Sequence, residues 1–335
     1  MTPKLKPLKD QVIVITGASS GIGLVTARTA AKAGASLLLV ARSEDVLRDL
    51  VAELQGEGHR VEAKAADVGD AAGLEAAAAY AVEVFGRIDT WVNDAGVTIY
   101  AKLTDTPLDE HERLFRTNYF GTVNGCQAAI PHLAKQGGAL ITVASIVSDM
   151  SAPLQGAYAA SKHAVKAYVE TLRMELGAAG VPIQVTLVKP SGIDTPIGQH
   201  AANHEGGEAQ VPPPIYDPQL VADAILHCAV HPTRDVTVGG GGRAQVLFAT
   251  HFPALFERLA PIAAAATFID RKKAQPQPSN LKWGVHAGKE RSGEHPLSRK
   301  TSLYTTAALH PKTAFLGLAG VVLAGGLLMA RRRAA

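Results

Sequence analysis

One local pattern recurs along the chain: a short unbroken apolar run, a turn, then an alanine-rich stretch. QVIVITG leads into GLVTARTAAKAG, SLLLVAR into DVLRDLVAEL, and RVEAKAAD into AGLEAAAAYAVEVFG, which ends at IDTWVNDAG. Farther on, ALITVAS and IQVTLVKPSG each follow a helical segment, and DVTVGGG closes the series near residue 240. Runs this apolar, with no polar alternation, read as strands buried on both faces, the habit of parallel sheets. Repeated strand–helix units then specify an α/β fold. It is a doubly wound parallel sheet in a three-layer α/β/α arrangement, here with a C-terminal extension. Gly34 and Gly86 stand where helix C-terminal caps are expected.

The turn after the first run is TGASSGIG, Thr16 to Gly23. Three glycines, an alanine and two serines offer a packed core almost no side chain. A turn of this kind instead aims backbone N–H groups, and the positive end of a helix dipole, at one spot that suits a pyrophosphate. Gly17 allows the tight turn, Gly21 the close approach of phosphates, and Gly23 the packing of helix on strand. The second strand ends in VARS, so Ala41 leaves empty the place where an acidic residue would bind a ribose 2′-hydroxyl. Arg42 follows, and a guanidinium with no acid beside it attracts a 2′-phosphate. That favours NADP(H) over NAD(H), with an ordinary surface arginine as the alternative. Asp67, at the end of AADV, offers an acceptor for the adenine amine or a simple strand-end cap.

YAASKHAV places Tyr158 and Lys162 four residues apart, on one face of a helix. A phenol with a pKa of about 10 transfers protons poorly at neutral pH unless its phenolate is stabilised. An ammonium about 5 Å away, at an effective dielectric of about 20, supplies about 3 kcal/mol, or about two pKa units. Ser145, at the end of ITVAS, lies thirteen residues earlier and would bind the substrate oxygen beside Tyr158.

TGASSGIG, NDAG (Asn93 to Gly96), Asn118, Ser145, and Tyr158 with Lys162 together resemble the short-chain dehydrogenase/reductase family, in its compact single-domain branch. The resemblance covers residues 8–245. It implies a Rossmann-type fold, NAD(P) binding, hydride transfer between nicotinamide C4 and a carbinol or carbonyl carbon, and a homodimer or homotetramer. Position by position, it makes Tyr158 the acid and base, has Lys162 lower its pKa and hold the nicotinamide ribose, and has Ser145 orient the substrate. Asn118 would support a water linking Lys162 to solvent. The implied cofactor contacts are Gly17, Ser19, Ser20, Gly21, Ile22, Gly23, Arg42, Asp67, Val68, Asn93, Ala95, Gly96, Tyr158, Lys162, Pro190, Ile193 and Thr195. Three departures stand out. Asp94 replaces an asparagine, Ser191 sits inside the usual Pro-Gly pair, and VAS lacks a serine before Ser145, which leaves Ser148 as the fallback.

The segment after Thr195, IGQHAANHEGGEAQVPPPIYDPQ, is long, polar and proline-broken, as a mobile substrate lid would be. His200 and His204 read as solvated loop histidines, with contact to substrate as the alternative. His227 and His231 have metal-like spacing but no apparent third ligand, so no metal is expected. Cys126 and Cys228 lack paired or C-x-x-C spacing and read as buried free thiols of a reducing compartment.

With 335 residues, 47% hydrophobic, the chain has material for one large core and an appendage. A net charge of +3, mostly scattered, gives no ground for a nucleic-acid partner. The N-terminus carries charge but no apolar run of the secretory kind, and no repeat of fixed period is present. Residues 246–273 read as an apolar helical extension, 274–312 as a polar linker, and 313–330 as a transmembrane or membrane-associated helix. Ala314–Ala330 gives 17 uncharged residues, at the lower limit for a bilayer span. Arg331–Arg333 beyond it favour the cytoplasm, where an NADPH-using catalytic domain also belongs, so one simple span does not satisfy both. The expected substrate is a small carbonyl or alcohol, lipophilic if the tail reaches a membrane. The rival readings are an NADP(H)-binding redox sensor tethered by its tail, and an isomerase or lyase on the same fold.

Overall fold

The computed structural model describes residues 4–284, 288–311 and 314. Seven strands form the central sheet: β1 (Val12–Thr16), β2 (Ser36–Ala41), β3 (Val61–Ala65), β4 (Thr90–Asn93), β5 (Gly138–Val143), β6 (Ile183–Pro190) and β7 (Asp235–Val238). Their spatial order is β3-β2-β1-β4-β5-β6-β7, and every pairing is parallel. The order reverses between β1 and β4, and a crevice opens there beyond the carboxyl ends of the strands.

The absence of polar alternation has a direct cause. In β2 the side chains of Leu37 and Leu39 enter one core and those of Leu38 and Val40 the other, all fully buried. Each such leucine is worth about 1.5–3 kcal/mol in burial, so the sheet cannot present either face to water. On one face pack α1 (Gly21–Lys32), α2 (Glu44–Gly56) and α7 (Gln219–Val230); on the other α3 (Ala71–Phe85), α5 (Gly121–Leu133) and α6 (Gly156–Ala178). Helix α3 opens on Asp70, whose side chain accepts the Ala72 N–H, and stops at Gly86 with φ of +80°. Both signals are legible in the sequence.

α4 (Leu108–Phe115) runs through a five-residue π turn, Arg116–Phe120, into α5. Beyond β7 the apolar extension forms α8 (Gly240–His251) and α9 (Pro253–Thr267), so the boundary expected at residue 245 falls inside α8. Residues 274–312 do not behave as a free linker where they are described. Leu281 is 1% exposed, Arg291 pairs with Asp217, and α10 (Leu303–Leu309) docks through the Thr305 hydroxyl, which accepts the Gly239 N–H. Scattered polar side chains in this stretch find fixed partners on the domain, which composition alone does not reveal.

The segment after Thr195 is likewise tied down. Ala202–Asn203 pairs with Ile99–Tyr100, Glu208–Ala209 with Ile269–Asp270, and Ile215–Tyr216 with Gly192–Ile193. Among the described residues no helix is long and apolar enough to cross a membrane. The uncharged run Ala314–Ala330 lies outside the described residues apart from Ala314.

Candidate active site

The glycine turn joins β1 to α1 at the reversal point. Gly17 (φ +73°) and Gly21 (φ +54°) adopt left-handed backbone, which glycine alone takes without strain. A Cβ on Gly17 would lie 2.8 Å from the Ala95 backbone, and one on Gly23 would lie 2.4 Å from the Gly17 carbonyl. The turn is therefore packed against the chain after β4 and against its own helix, and its outer side faces away from both.

That side borders a cavity of about 510 Å³. Gly17, Ser19, Ser20, Gly21 and Ile22 line it at the turn, Arg42, Asp67 and Val68 beyond β2 and β3, and Ala95 and Gly96 beyond β4. Its inner end is formed by Ser145, Tyr158, Lys162, Pro190, Ile193 and Thr195. Residues scattered over 180 positions thus share one space because each follows the carboxyl end of a strand or opens a helix there. A cradle closed to side chains at one end, with a hydroxyl–phenol–ammonium group at the other, fits an extended dinucleotide.

Two residues expected at the cofactor do not reach this space. Asn93 turns into the sheet: its Oδ1 accepts the Trp91 indole N–H at 2.8 Å, and its amide meets Cys126 Sγ and Thr142 Oγ1 at 3.5 Å. Its place at the end of a strand with both faces covered leaves its side chain no way out. Gly23 is not a lining residue either, and serves the helix–strand packing its missing Cβ allows.

Ser145 ends the strand β5 run and caps the short turn Ile146–Ser148, its Oγ accepting the Val147 N–H at 3.3 Å. It also hydrogen-bonds Tyr158. Ser148 is fully buried, lies outside the cavity, and its hydroxyl has no partner. Tyr158 and Lys162 occupy the first turns of α6. The Lys162 ammonium is 5.7 Å from the Tyr158 ring centre and donates to the Val143 carbonyl at 3.0 Å.

The electrostatics run against the simple two-charge estimate. Burial pushes the Tyr158 phenol up to about 12; the Ser145 hydrogen bond opposes this and the Asp94 carboxylate adds to it. Burial also pulls Lys162 down to about 8, against the pull of Asp94. The sequence estimate counted the attraction of the ammonium and left out the cost of taking a phenolate from water, which dominates here.

Asn118 stands in the π turn, a distortion frequent at functional sites. Its Oδ1 accepts the Val97 N–H at 2.9 Å, and its Nδ2 donates to the Val97 carbonyl and to Ser161 Oγ, both at 3.0 Å. The side chain thus pairs with both backbone groups of Val97, in the segment after β4, and has no direct bond to Lys162. Asp67 is held by two groups: its Oδ1 accepts the Gly69 N–H at 2.9 Å and its Oδ2 pairs with Arg113. Arg113 keeps that carboxyl below its ordinary range despite burial. No sequence signal connects Arg113 to Asp67, since they meet only when α4 crosses the end of β3.

The three departures find structural reasons. Asp94 is half-buried: its N–H donates to the Thr16 hydroxyl, its carboxyl accepts the Gly23 N–H near Lys162, and desolvation pushes that carboxyl up to about 7. Ser191 is accommodated because Gly239 and Gly242 face it: a Cβ on either would come within 2.0 to 2.3 Å of its side chain. The missing serine before Ser145 is Ala144, which packs into the core. His200 lines the cavity, contrary to the solvated reading, and burial lowers its pKa. His204 instead pairs with Glu110 at 2.8 Å. His227 stacks on His231 at 4.2 Å with His310 edge-on at 5.0 Å, and among the described residues no group of three His, Cys, Asp or Glu is arranged for a metal. Both cysteines are buried free thiols.

Beyond Tyr158 the walls come from residues that no sequence motif selects: Tyr100, Met150, Phe248, Phe256, Leu259 and Phe268. Helices α8 and α9 carry Phe248, Phe256 and Leu259 to the site's far wall or its edge, and Phe268 follows at the end of α9.

Known proteins with this arrangement are readily found. The short chain dehydrogenase family model matches residues 11–206. An uncharacterized oxidoreductase of Bacillus subtilis, YxnA, is 39% identical over 323 residues, spanning 95% of this chain and 91% of that protein. Dehydrogenase/reductase SDR family member 7B of Danio rerio is 32% identical over 75% of this chain and 85% of its own. A short chain dehydrogenase from Burkholderia cenocepacia, solved in complex with NADP, superposes with a TM-score of 0.64 at 26% identity, covering 76% of this chain and 99% of that one. One from Burkholderia phymatum, solved with NAD, gives 0.63 at 26% identity, covering 82% and 99%. With the sheet order, the glycine turn and these likenesses in agreement, the chain belongs to the short-chain dehydrogenase/reductase family and is an NAD(P)-dependent oxidoreductase of the kind that acts on CH–OH groups.

Proposed function

We propose that the protein prefers NADP(H) to NAD(H) and interconverts an apolar ketone or aldehyde with its alcohol, using Tyr158 as general acid and base. The observation carrying this reading is the single cavity that joins Arg42 and the glycine turn to Ser145, Tyr158 and Lys162. Arg42 without an acidic residue at position 41 supports recognition of a 2′-phosphate.

When bound, the nicotinamide supplies a hydride for reduction, takes one up in oxidation, and carries a positive charge in its oxidised form. The chain's residues handle the rest. Tyr158, kept protonated at neutral pH by burial, gives its phenolic proton to the substrate oxygen during reduction. Ser145 orients that oxygen and donates to the charge that develops on it. The Lys162 ammonium then favours the phenolate left behind. Asn118 acts as a positioning residue, fixing the backbone at Val97 beside the site.

The substrate class follows from the distribution of charge. Of the charged lining residues, Arg42, Asp67, Asp94 and Lys162, none belongs to the wall formed by Tyr100, Phe248, Phe256 and Phe268. A neutral, lipid- or sterol-like carbonyl compound fits such a wall. The uncharged run Ala314–Ala330 supports a catalytic domain held near a membrane, use of cellular NADPH supports a cytoplasmic one, and the family likeness supports a homodimer or homotetramer.

Titration of the purified protein with NADPH and NADH, followed by a panel of ketones and aldehydes monitored by NADPH consumption, tests the reading. Tyr158→Phe is expected to lower kcat by about 10²–10⁴-fold while leaving NADPH binding intact. A near-normal rate in that variant would remove Tyr158 from the mechanism. Tight NADPH binding with no turnover on any substrate would favour the redox-sensor reading instead.

A further inference from the structure

The C-terminal strap, described over Asn280–Gly284 and Gly288–Ser292, lies across the phosphate half of the groove. It is anchored on both sides. At one, the Asn280 N–H donates to the His200 carbonyl at 2.8 Å, and Leu281 is seated among Val97, Ile99, Leu114 and Ala157. At the other, Arg291 pairs with Asp217 at 2.8 Å, Glu290 pairs with Arg28 at 2.8 Å, and the Ser292 hydroxyl donates to Asp194 Oδ1 at 2.6 Å.

Between these anchors the strap's own carbonyls take the donors that a dinucleotide's phosphates need. The Gly21 N–H, at the start of α1, donates to the Lys289 carbonyl at 2.8 Å. Arg42 donates to the Asn280 carbonyl at 2.5 Å and to the Leu281 carbonyl at 3.4 Å. Gly284 presses on the turn after β2 so closely that a Cβ would come 2.5 Å from Ser43 Oγ. The seat is also imperfect, because Asn280 Oδ1 is buried with no hydrogen-bond partner. A peptide carbonyl is a neutral acceptor, and a phosphate oxygen forms a charge-assisted bond to the same donor roughly twice as strong. The ligand has the better claim on both donors.

The geometry points to the strap as an internal competitor for the cofactor: the carbonyls of Asn280, Leu281 and Lys289 stand where phosphate oxygens bind, and NADP(H) must displace them from Arg42 and Gly21. The inference rests on the NADP(H) reading above. Because Arg42 faces the 2′-phosphate, the strap opposes NADP(H) at two donors and NAD(H) at one, so it sets cofactor selectivity as well as affinity.

Hydrogen exchange of the full-length protein, read by mass spectrometry with and without saturating NADPH, tests displacement directly. Peptides covering 280–284 and 288–292 are expected to exchange faster with NADPH bound, while those of the glycine turn exchange more slowly. Unchanged or slower exchange in the strap would overturn the competition, the slower case meaning that the strap clasps the cofactor. A second arm uses Arg291→Ala, which removes an anchor outside the groove. By raising the open fraction it is expected to tighten NADPH binding at least about threefold, and NADH binding less. Equal or weaker NADPH binding in this variant also overturns the inference. If the wild-type protein binds no NADPH, the NADP(H) reading fails and the competition with it; NADPH binding without strap displacement leaves that reading standing.

Discussion

Where an asparagine amide would be neutral at every pH, the Asp94 carboxyl titrates inside the site. Burial pushes it up to about 7, while the nearby Lys162 ammonium is pulled down to about 8 and the Tyr158 phenol up to about 12. The sign of its influence is fixed: an ionised Asp94 raises Tyr158 and raises Lys162. Asp94→Asn removes that negative charge, so the phenolate forms more easily. In the alcohol-oxidation direction, which in the proposed mechanism needs the phenolate, the rising limb of the pH–rate profile is expected to move down by about one pH unit, the scale of one charge at an effective dielectric of about 20. A profile that does not move, or moves up, would dissociate Asp94 from the proton-transfer group. The departure at this position was legible in the sequence, but its electrostatic meaning was not, because it depends on desolvation beside Lys162.

At the scale of single elements, the glycine turn shows how a local sequence serves two neighbours at once. Its left-handed residues set the path of the chain, and Gly23 lets α1 approach so closely that a Cβ would meet the Gly17 carbonyl at 2.4 Å and Asp94 Oδ2 at 2.8 Å. Backbone on one side and a desolvated carboxyl on the other leave no flexible atom to yield. Gly23→Ala is therefore expected to cost about 1–3 kcal/mol of stability, by the logic of overpacking, and to weaken NADPH binding by moving the turn. Chemical denaturation together with an NADPH titration checks both effects; a variant with unchanged stability would mean that the contact relaxes freely. The strands and their following helices were readable because each is fixed by its own apolar run, cap and turn. The π turn around Asn118 was not, since nothing in RTNYFG separates it from ordinary helix.

Across the whole molecule, the C-terminal region matters more than its composition suggests. It adds α8 and α9 to the site's wall, lays a strap over the groove, and docks α10 so that His310 meets the stacked His227 and His231. Burial lowers His227 to about 4, with His231 and His310 adding to the shift, from an ordinary value of 6.5. A histidine whose folded pKa is depressed is protonated first in the unfolded chain. Its neutral form therefore favours the fold above about 6.5, and that contribution is lost as the pH falls from 6.5 toward 4. Thermal unfolding across this window should show a falling midpoint, with a shallower fall for His227→Gln. Identical slopes would mean the cluster titrates alike in both states.

By itself the sequence determined the parallel sheet, the order of strand and helix, the glycine turn, and the spacing that sets Tyr158 and Lys162 on one helix face. These follow from interactions a few residues long: burial on both faces of a strand, a φ that only glycine adopts, two side chains four apart on a helix. Tertiary structure alone decided that Asn93 faces the sheet, that Arg113 holds Asp67, that burial outweighs the ammonium at Tyr158, and that residues 280–284 and 288–292 lie against the groove. Each of these depends on which distant groups become neighbours and on how much water they exclude, and neither quantity is written in any one segment of the chain.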